Sequence, residues 1–169
     1  MHFSYRQADI SELEEIMKIY VAAQKFMEQT GNPQWPFGFP DKTDVKGGIL
    51  GGILYCVEYG GELAAVFSAM NYDGDYDNIE GAWLTKGNYL AVHRVAVSDN
   101  FRGKGAAKYI VDCAAADIAK KRGRGSIRMD THEKNAPMRG LLLGRGFTQC
   151  GVIYLVRDLT PRIAFEKKI

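Results

Sequence analysis

The chain is poor in the residues that decide metal and disulfide chemistry. Its 169 residues include only three cysteines and three histidines. Cys56, Cys113 and Cys150 lie far apart and form no C-x-x-C pair. They have no metal-ligand spacing with His2, His93 or His132, so no metal site and no disulfide framework is expected. Reduced cysteines packed in the core of a cytoplasmic protein are the expected state for all three. No apolar run approaches the ~20 residues that span a bilayer. Met1-His2-Phe3-Ser4-Tyr5-Arg6 does not read as a signal peptide. Neither sign of charge dominates, since 22 Lys and Arg stand against 20 Asp and Glu, a formal net charge of +2. Bulk charge therefore calls for neither nucleic acid nor an anionic membrane. Repeats and low-complexity segments are missing too. A hydrophobic content of 46% and a charged content of 25% suit one globular domain over residues 1–169.

What is present is a clear alternation of elements. Phe3 to Gln7 alternates like a strand. Asp9 or Ser11 caps a helix, with Ser11-x-x-Glu14 as its capping box. Leu13, Ile16, Met17, Tyr20, Val21 and Phe26 recur at helical spacing to about Glu28. An ordered loop follows, carrying Trp35, Phe37 and Phe39 among Pro33, Pro36 and Pro40. Asp41 to Leu50 reads as a second helix. Ile53–Tyr59, Glu62–Tyr72 and Asn88–Ser98 read as strands, the first two joined by a Gly60-Gly61 hairpin. The link Asp73 to Gly87 carries Asp73, Asp75, Asp77 and Glu80, and reads as a solvated loop or as a stretch that attracts a cationic amine or basic peptide. Ala106–Arg122 is a helix, Ser126–Thr131 a strand and Asn135–Arg145 a helix closed by Gly146. Thr148–Val156 and Arg162–Lys167 form a closing hairpin. The order is β-α-α-β-β-β-α-β-α-β-β, an α/β layout with a mixed sheet.

One segment carries most of the functional signal. Val95-Ala96-Val97 ends a strand. Arg102-Gly103-Lys104-Gly105-Ala106-Ala107 then forms a basic, glycine-rich loop that opens a helix. Such a loop leaves backbone N–H groups unpaired at the positive end of a helix dipole, which suits a phosphate or pyrophosphate. Gly103 and Gly105 lack a Cβ and let an anion approach the backbone. A Walker loop is excluded, because no G-x-x-x-x-G-K-[ST] run exists. A dinucleotide fingerprint is excluded by Lys108 at the third glycine position and by the location past mid-chain.

The remaining pattern is [RQ]-x-x-G-x-[GA] after a V-x-V strand, matched by Arg102, Gly105 and Ala107. With Asn135-x-x-Met138 through Gly146-Phe147 as a second signature, the chain resembles the GNAT-type, acetyl-CoA-dependent N-acetyltransferases over essentially its whole length. The resemblance implies a single-domain GNAT-like mixed sheet. Its central strands, Tyr89 to Val97 and Ser126 to Thr131, would splay apart, aided by a β-bulge. It implies that acetyl-CoA is the acyl donor. The pantetheine arm would lie against the backbone of Val95, Ala96 and Val97, and the pyrophosphate on Arg102 to Ala107. Asn135 would contact the cofactor or cap its helix. Lys104, Lys108, Lys134 and Arg139 are candidates for the ribose phosphate.

Acyl transfer needs a neutral amine and a proton for the departing thiolate. The glutamate that many members carry on the central strand falls at Ala91, and the usual tyrosine acid falls at Leu142. His93, on the same strand face as Ala91 and with an ordinary pKa near ~6.5, is the candidate base or else a histidine hydrogen-bonded inside the sheet, and a transferase relying on proximity and a water chain stays open. Tyr154, or else Tyr89, is the expected acid. Trp35 and its neighbours wall an acceptor pocket or simply pack on the first helix. The implied activity is transfer of an acetyl group to a primary amine, small molecule or peptide, by direct attack on the thioester. Two alternatives stay open: an acyl-CoA-binding module without efficient turnover, and a nucleic-acid binder using Lys120-Lys121-Arg122-Gly123-Arg124. The second is disfavoured by the balanced charge and the lack of interleaved aromatics. A homodimer also stays open.

Overall fold

The computed structural model describes every residue except Met1 and Phe37. Strands β1 (Phe3–Gln7), β2 (Leu54–Tyr59), β3 (Glu62–Met70), β4 (Ile79–Gly81), β5 (Tyr89–Val97), β6 (Ser126–Thr131), β7 (Thr148–Tyr154) and β8 (Pro161–Lys168) form one mixed sheet. Its strand order is β1-β2-β3-β5-β6-β8-β7-β4. The helices are α1 (Leu13–Gln29), α2 (Lys42–Leu50), α3 (Ala106–Tyr109), α4 (Ala115–Lys121) and α5 (Ala136–Gly144). This is the expected α/β architecture with one strand more. β4 arises inside the link read as a solvated loop, where its three residues are too few to show a period.

The chain divides into two compact units, and β5 belongs to both. The first unit holds the chain up to Ala69 and Arg94–Ile110. There β1, β2 and β3 make an antiparallel meander, and Ser98 N–H donates to Ala64 O at 2.9 Å. α1 buries Ile16, Ile19, Tyr20 and Ala23, the stripe that its 3.6-residue period aligns. These pack with Val45 and Ile49 of α2, Leu54 and Cys56 of β2, Val66 of β3 and Ala96 of β5. The cap differs from the expected Ser11–Glu14 box. Asp9 is the cap, and Glu12 returns a bond to Asp9 N–H at 2.9 Å. A turn of 3-10 helix (Ile10–Glu12) precedes α1 and moves the start upstream.

The second unit holds Met70–His93 and Val111–Ile169. β6, β8 and β7 are antiparallel neighbours, and β5 joins β6 in parallel over Tyr89↔Ser126, Leu90↔Ile127 and Ala91↔Arg128. The core gathers Tyr76, Tyr89, Ala91, Ile153 and Ala164. Glu166 of β8 is fully buried, yet accepts from Leu84 N–H, Thr85 N–H and hydroxyl, Ser126 Oγ and Arg128 Nε. Burial opposes its charge, but these donors and the guanidinium hold its pKa below the usual carboxylate range. Of the cysteines only Cys56 is in the core. Cys113 is exposed and Cys150 half-buried, so the expectation of three core thiols is corrected. Between α3 and α4, Ile110–Ala114 is π-helical, and the extra residue turns Cys113 out of the apolar stripe expected of a regular helix.

Gly81 and Gly151 are register partners across β4 and β7. A Cβ on Gly151 would lie 2.1 Å from Glu80 O, at a φ of +150°. Gly151→Ala is therefore expected to lower unfolding stability by ~2 kcal/mol or more in urea titration. Gly60→Ala, at φ +60° in open space, should cost only ~1 kcal/mol. Equal losses would contradict the close approach.

Candidate active site

β5 loses its pairing with β6 part-way along its length. Its ladder with β6 ends at Ala91↔Arg128, although β6 continues to Thr131. Three residues on, Arg94 takes a left-handed conformation at φ +54° inside the strand. Such a conformation costs ~1–3 kcal/mol in a non-glycine residue. Neighbouring groups hold it. Tyr20 Oη donates to Arg94 O at 3.1 Å, and the Arg94 guanidinium lies 4.9 Å from the centre of the Phe39 ring. Beyond the kink Ala96 points into the core, while Val95 and Val97 stay half-buried on the other face.

A 3-10 turn over Asp99–Phe101 then delivers the chain to the glycine loop. Gly103 and Gly105 have φ of +71° and +94°, values that explain glycine at both positions. α3 begins at Ala106. Among the described residues, the N–H groups of Gly103, Gly105, Ala106, Ala107 and Lys108 have no hydrogen-bond acceptor. A Cβ at Gly103 would meet nothing within 4 Å, and one at Gly105 only Phe3 Cε2 at 4.0 Å. The cradle is thus open and rich in donors, as a pyrophosphate requires. Arg102 brings less charge to it than its position suggests. Its guanidinium lies 2.8 Å from Asp99 Oδ1 and 4.3 Å from the centre of the Phe26 ring. Lys104 and Lys108 are exposed, with no ion pair among the described residues.

A second cluster surrounds His93. Its Nδ1 lies 3.3 Å from Asp130 Oδ1 and its Nε2 2.7 Å from Asp73 Oδ2, the latter contact falling outside hydrogen-bonding direction. Tyr76 is buried beside the imidazole, ring centres 5.5 Å apart, and its hydroxyl donates to Asp130 Oδ1 at 2.9 Å. Asp73 is fixed by the turn it begins. Its Oδ1 accepts from Asp75 N–H at 2.9 Å, and its own N–H donates to Tyr89 Oη at 3.1 Å. Burial alone would discharge the imidazole, but the carboxylates of Asp130 and Asp73 outweigh it and push the pKa up to about 9. Asp73 responds in kind. Burial raises its pKa, His93 lowers it further, and the net direction is downward. The ordinary histidine titration near neutrality expected from sequence is therefore replaced by an imidazolium held between two carboxylates.

Comparison with known proteins places this arrangement. The family model described as "Acetyltransferase (GNAT) family" matches residues 14–147. The chain belongs to the GNAT acetyltransferase family. The family's activity is acetyl transfer with acetyl-CoA as donor. An acetyltransferase of the GNAT family from Streptococcus agalactiae is similar, with 31% identity and a TM-score of 0.87 over 99% of this chain and 95% of that one. A GNAT-family acetyltransferase from Listeria monocytogenes has 19% identity and a TM-score of 0.77 over 99% and 95% of the two chains. The ribosomal-protein-S18-alanine N-acetyltransferase from Escherichia coli has 12% identity and a TM-score of 0.60 over 99% and 94%. The last two likenesses speak to the fold. No curated protein matches the sequence significantly.

In this GNAT chain the other residues singled out by sequence fall as follows. Asn135 caps α5, its Oδ1 accepting from Met138 N–H at 3.3 Å. Tyr154 is exposed on β7 and donates to Glu80 Oε2 at 3.0 Å, which raises its pKa. Tyr89 is buried against the Asp73 backbone, beneath the Arg128 guanidinium. Leu142 is fully buried. Arg139 donates to Glu133 O at 3.1 Å. Three of the four cations of the 120–124 patch are engaged: Lys121 pairs with Asp117 at 2.7 Å, and Arg122 and Arg124 reach Asn71 and Asn88. Trp35 packs edge-on against Tyr20, ring centres 5.8 Å apart, and walls a pocket of about 480 Å³ with Val21, Gln24, Pro33 and Pro36. Both readings of that loop hold together. Its Phe37 lies outside the described residues. No described helix is long and apolar enough to cross a membrane. The sequence reading missed Tyr76 and Asp130 and took Asp73 for a solvated residue. The available signal was the acidic run from Asp73, but its pairing with His93 is tertiary.

The His93 cluster sets a pH dependence of stability. A folded-state pKa near 9 against an unfolded value of 6.5 makes the contribution complete below pH 6.5. It is lost as pH rises through about 9. The span is on the order of 3 kcal/mol at most. Denaturation curves of the wild type should weaken from pH 6.5 to 9, and those of His93→Gln should weaken much less. Parallel curves for the two proteins would exclude a charged His93.

Proposed function

We propose that the chain is an acetyl-CoA-dependent N-acetyltransferase that moves an acetyl group to a primary amine by direct attack on the thioester. The observation that carries this reading is the cradle of unpartnered N–H groups at Gly103, Gly105, Ala106, Ala107 and Lys108, at the end of a kinked β5. These groups would hold the pyrophosphate, and the exposed Lys104 and Lys108 would add charge nearby. When bound, acetyl-CoA supplies the activated acetyl group. The backbone of Val95, Ala96 and Val97 would hold its pantetheine arm, and a strand N–H would polarise the thioester carbonyl. Asn135 reaches this role only alongside its cap.

His93 belongs to the catalytic centre of this reading. It is two residues along β5 from Val95, and its cluster supplies the titratable groups that proton transfer needs. Its imidazolium gives those carboxylates a fixed position. Tyr154, tied to Glu80, would act as acid only after leaving that bond. Trp35 and its pocket would receive the apolar part of the acceptor. Ala91 and Leu142, which carry no titratable group, favour a second reading as an acyl-CoA-binding module without efficient turnover. CoA release measured with a panel of amines separates the two readings.

Acetyl-CoA and CoA should raise the melting temperature by mass action, and NAD should not. A shift with NAD alone, or with none of the three, would overturn the proposal. Gly105→Glu places a negative charge in the cradle, and Ala107→Glu does so without a left-handed residue. Each should weaken CoA binding roughly tenfold or more by calorimetry. Wild-type affinity in both folded variants would remove the pyrophosphate from this loop.

A further inference from the structure

Around His93 one carboxylate oxygen faces no donor and no cation among the described residues. Asp73 accepts at Oδ1 from Asp75 N–H, and its Oδ2 lies 2.7 Å from His93 Nε2 as an ion-pair contact without hydrogen-bonding direction. Glu166 is surrounded by five donors. Glu80 is bonded to Tyr154. Both ring nitrogens of His93 face carboxylates, and its Nε2 is closed to solvent. Asp130 is different. Its Oδ1 takes the Tyr76 hydroxyl at 2.9 Å and faces His93 Nδ1 at 3.3 Å. Its Oδ2 accepts nothing among the described residues, and it is not among the sealed polar atoms. The side chain is only 10% exposed, so this oxygen is reached through a narrow opening.

The backbone places that oxygen usefully. Asp130 lies on β6 two residues past Arg128, the last residue laddered to β5. With the strand period of two, Asp130 shares a face with Arg128, and His93 shares one with Ala91, the partner of Arg128. The two side chains therefore meet where the β5–β6 ladder has ended.

We propose that Asp130 is the residue that takes the amine's proton, with Oδ2 as the accepting atom and Tyr76 and His93 as positioning residues that hold Oδ1. The inference rests on the reading of the chain as an amine acetyltransferase. It implies that the acceptor arrives as a primary ammonium ion, the form an unpaired carboxylate oxygen attracts. Oδ2 takes one proton from the ammonium. The freed nitrogen lone pair forms the C–N bond to the acetyl carbon, and the C–S bond breaks with its electron pair leaving on sulfur. The nitrogen's surplus proton goes to the thiolate, giving the amide and CoA thiol, and Asp130 returns its own proton to solvent. His93 is poorly placed to be the acceptor, because both of its ring nitrogens face carboxylates and Nε2 is closed to solvent.

The test compares primary alkylamines with their β-fluorinated analogues, ethylamine against 2,2,2-trifluoroethylamine among them. The parent amines are charged at neutral pH and the fluorinated ones largely neutral. With wild type, Asp130→Asn and Tyr76→Phe, CoA release is followed at saturating acetyl-CoA, and acetyl-CoA affinity is measured separately by calorimetry. Asp130→Asn should lose ~100-fold in kcat with the charged amines and less than about threefold with the neutral ones, at unchanged acetyl-CoA affinity. Tyr76→Phe should show the same selective loss, smaller, with Asp130 still in place. Equal losses on both kinds of amine, or no loss with the charged ones, would overturn the assignment. So would a wild type that binds acetyl-CoA but transfers to none of these amines. Failure of the wild type to bind acetyl-CoA would instead defeat the acetyltransferase reading beneath it. Should Asp130→Asn not fold, Tyr76→Phe alone decides by the same ratio.

Discussion

The site depends on one constraint: β5 must serve two ladders with a single strand. Its first residues, Tyr89 to Ala91, pair with β6 on one side, β3 is its neighbour on the other, and Ser98, just past its end, donates to Ala64 O of β3. Arg94, left-handed at φ +54°, stands between them. The conformation is unfavourable for arginine, so other contacts must stabilise it. Tyr20 on α1 supplies a hydrogen bond to its carbonyl, and Phe39 lies under its guanidinium. The core that buries Tyr20 is thus tied to the break in the strand. Everything assigned a chemical role on β5 lies within three residues of that break.

Two electrostatic devices follow along the chain, and they differ in kind. The glycine loop is all backbone: donors aimed outward, with no side chain in the way and little fixed charge, since Arg102 is spent on Asp99 and Phe26. Such a site suits an anion that comes and goes. The His93 cluster is all side chain, a cation between two anions with Tyr76 bonded to one of them. Removing His93 would leave two carboxylates in a partly buried place without their shared cation. On the proposed reading, the first device would receive the anionic part of the donor molecule, and the second would fix a carboxylate where a proton has to move.

Most of the fold was legible because its elements carry strong local signals. β1 and β6 were read at their observed bounds, and α5 within one residue at each end, from Asn135 and Gly146 at its caps. β4 was not legible, being three residues with a glycine, fixed only by its pairing to β7. Of the two caps offered by sequence, Asp9 is the one used, and the box runs to Glu12 instead of Ser11 to Glu14 because a 3-10 turn precedes α1. The geometry of the glycine loop was legible because its left-handed glycines and free donors lie in consecutive residues. The His93 cluster was not, because Asp73, Tyr76, His93 and Asp130 come from the acidic link, a 3-10 turn and two strands. Only His93 stood out by residue type. Its titration could not be read without the two carboxylates that displace it.

The claim that matters most is that backbone N–H groups of residues 103–108 receive the anionic part of acetyl-CoA. Backbone amide resonances recorded by nuclear magnetic resonance during titration with CoA test it directly. The amide protons of Gly103, Gly105, Ala106, Ala107 and Lys108, unpartnered in the free protein, should move downfield together as charge-assisted hydrogen bonds form. Saturable binding that leaves these five resonances in place and shifts another segment would contradict the account.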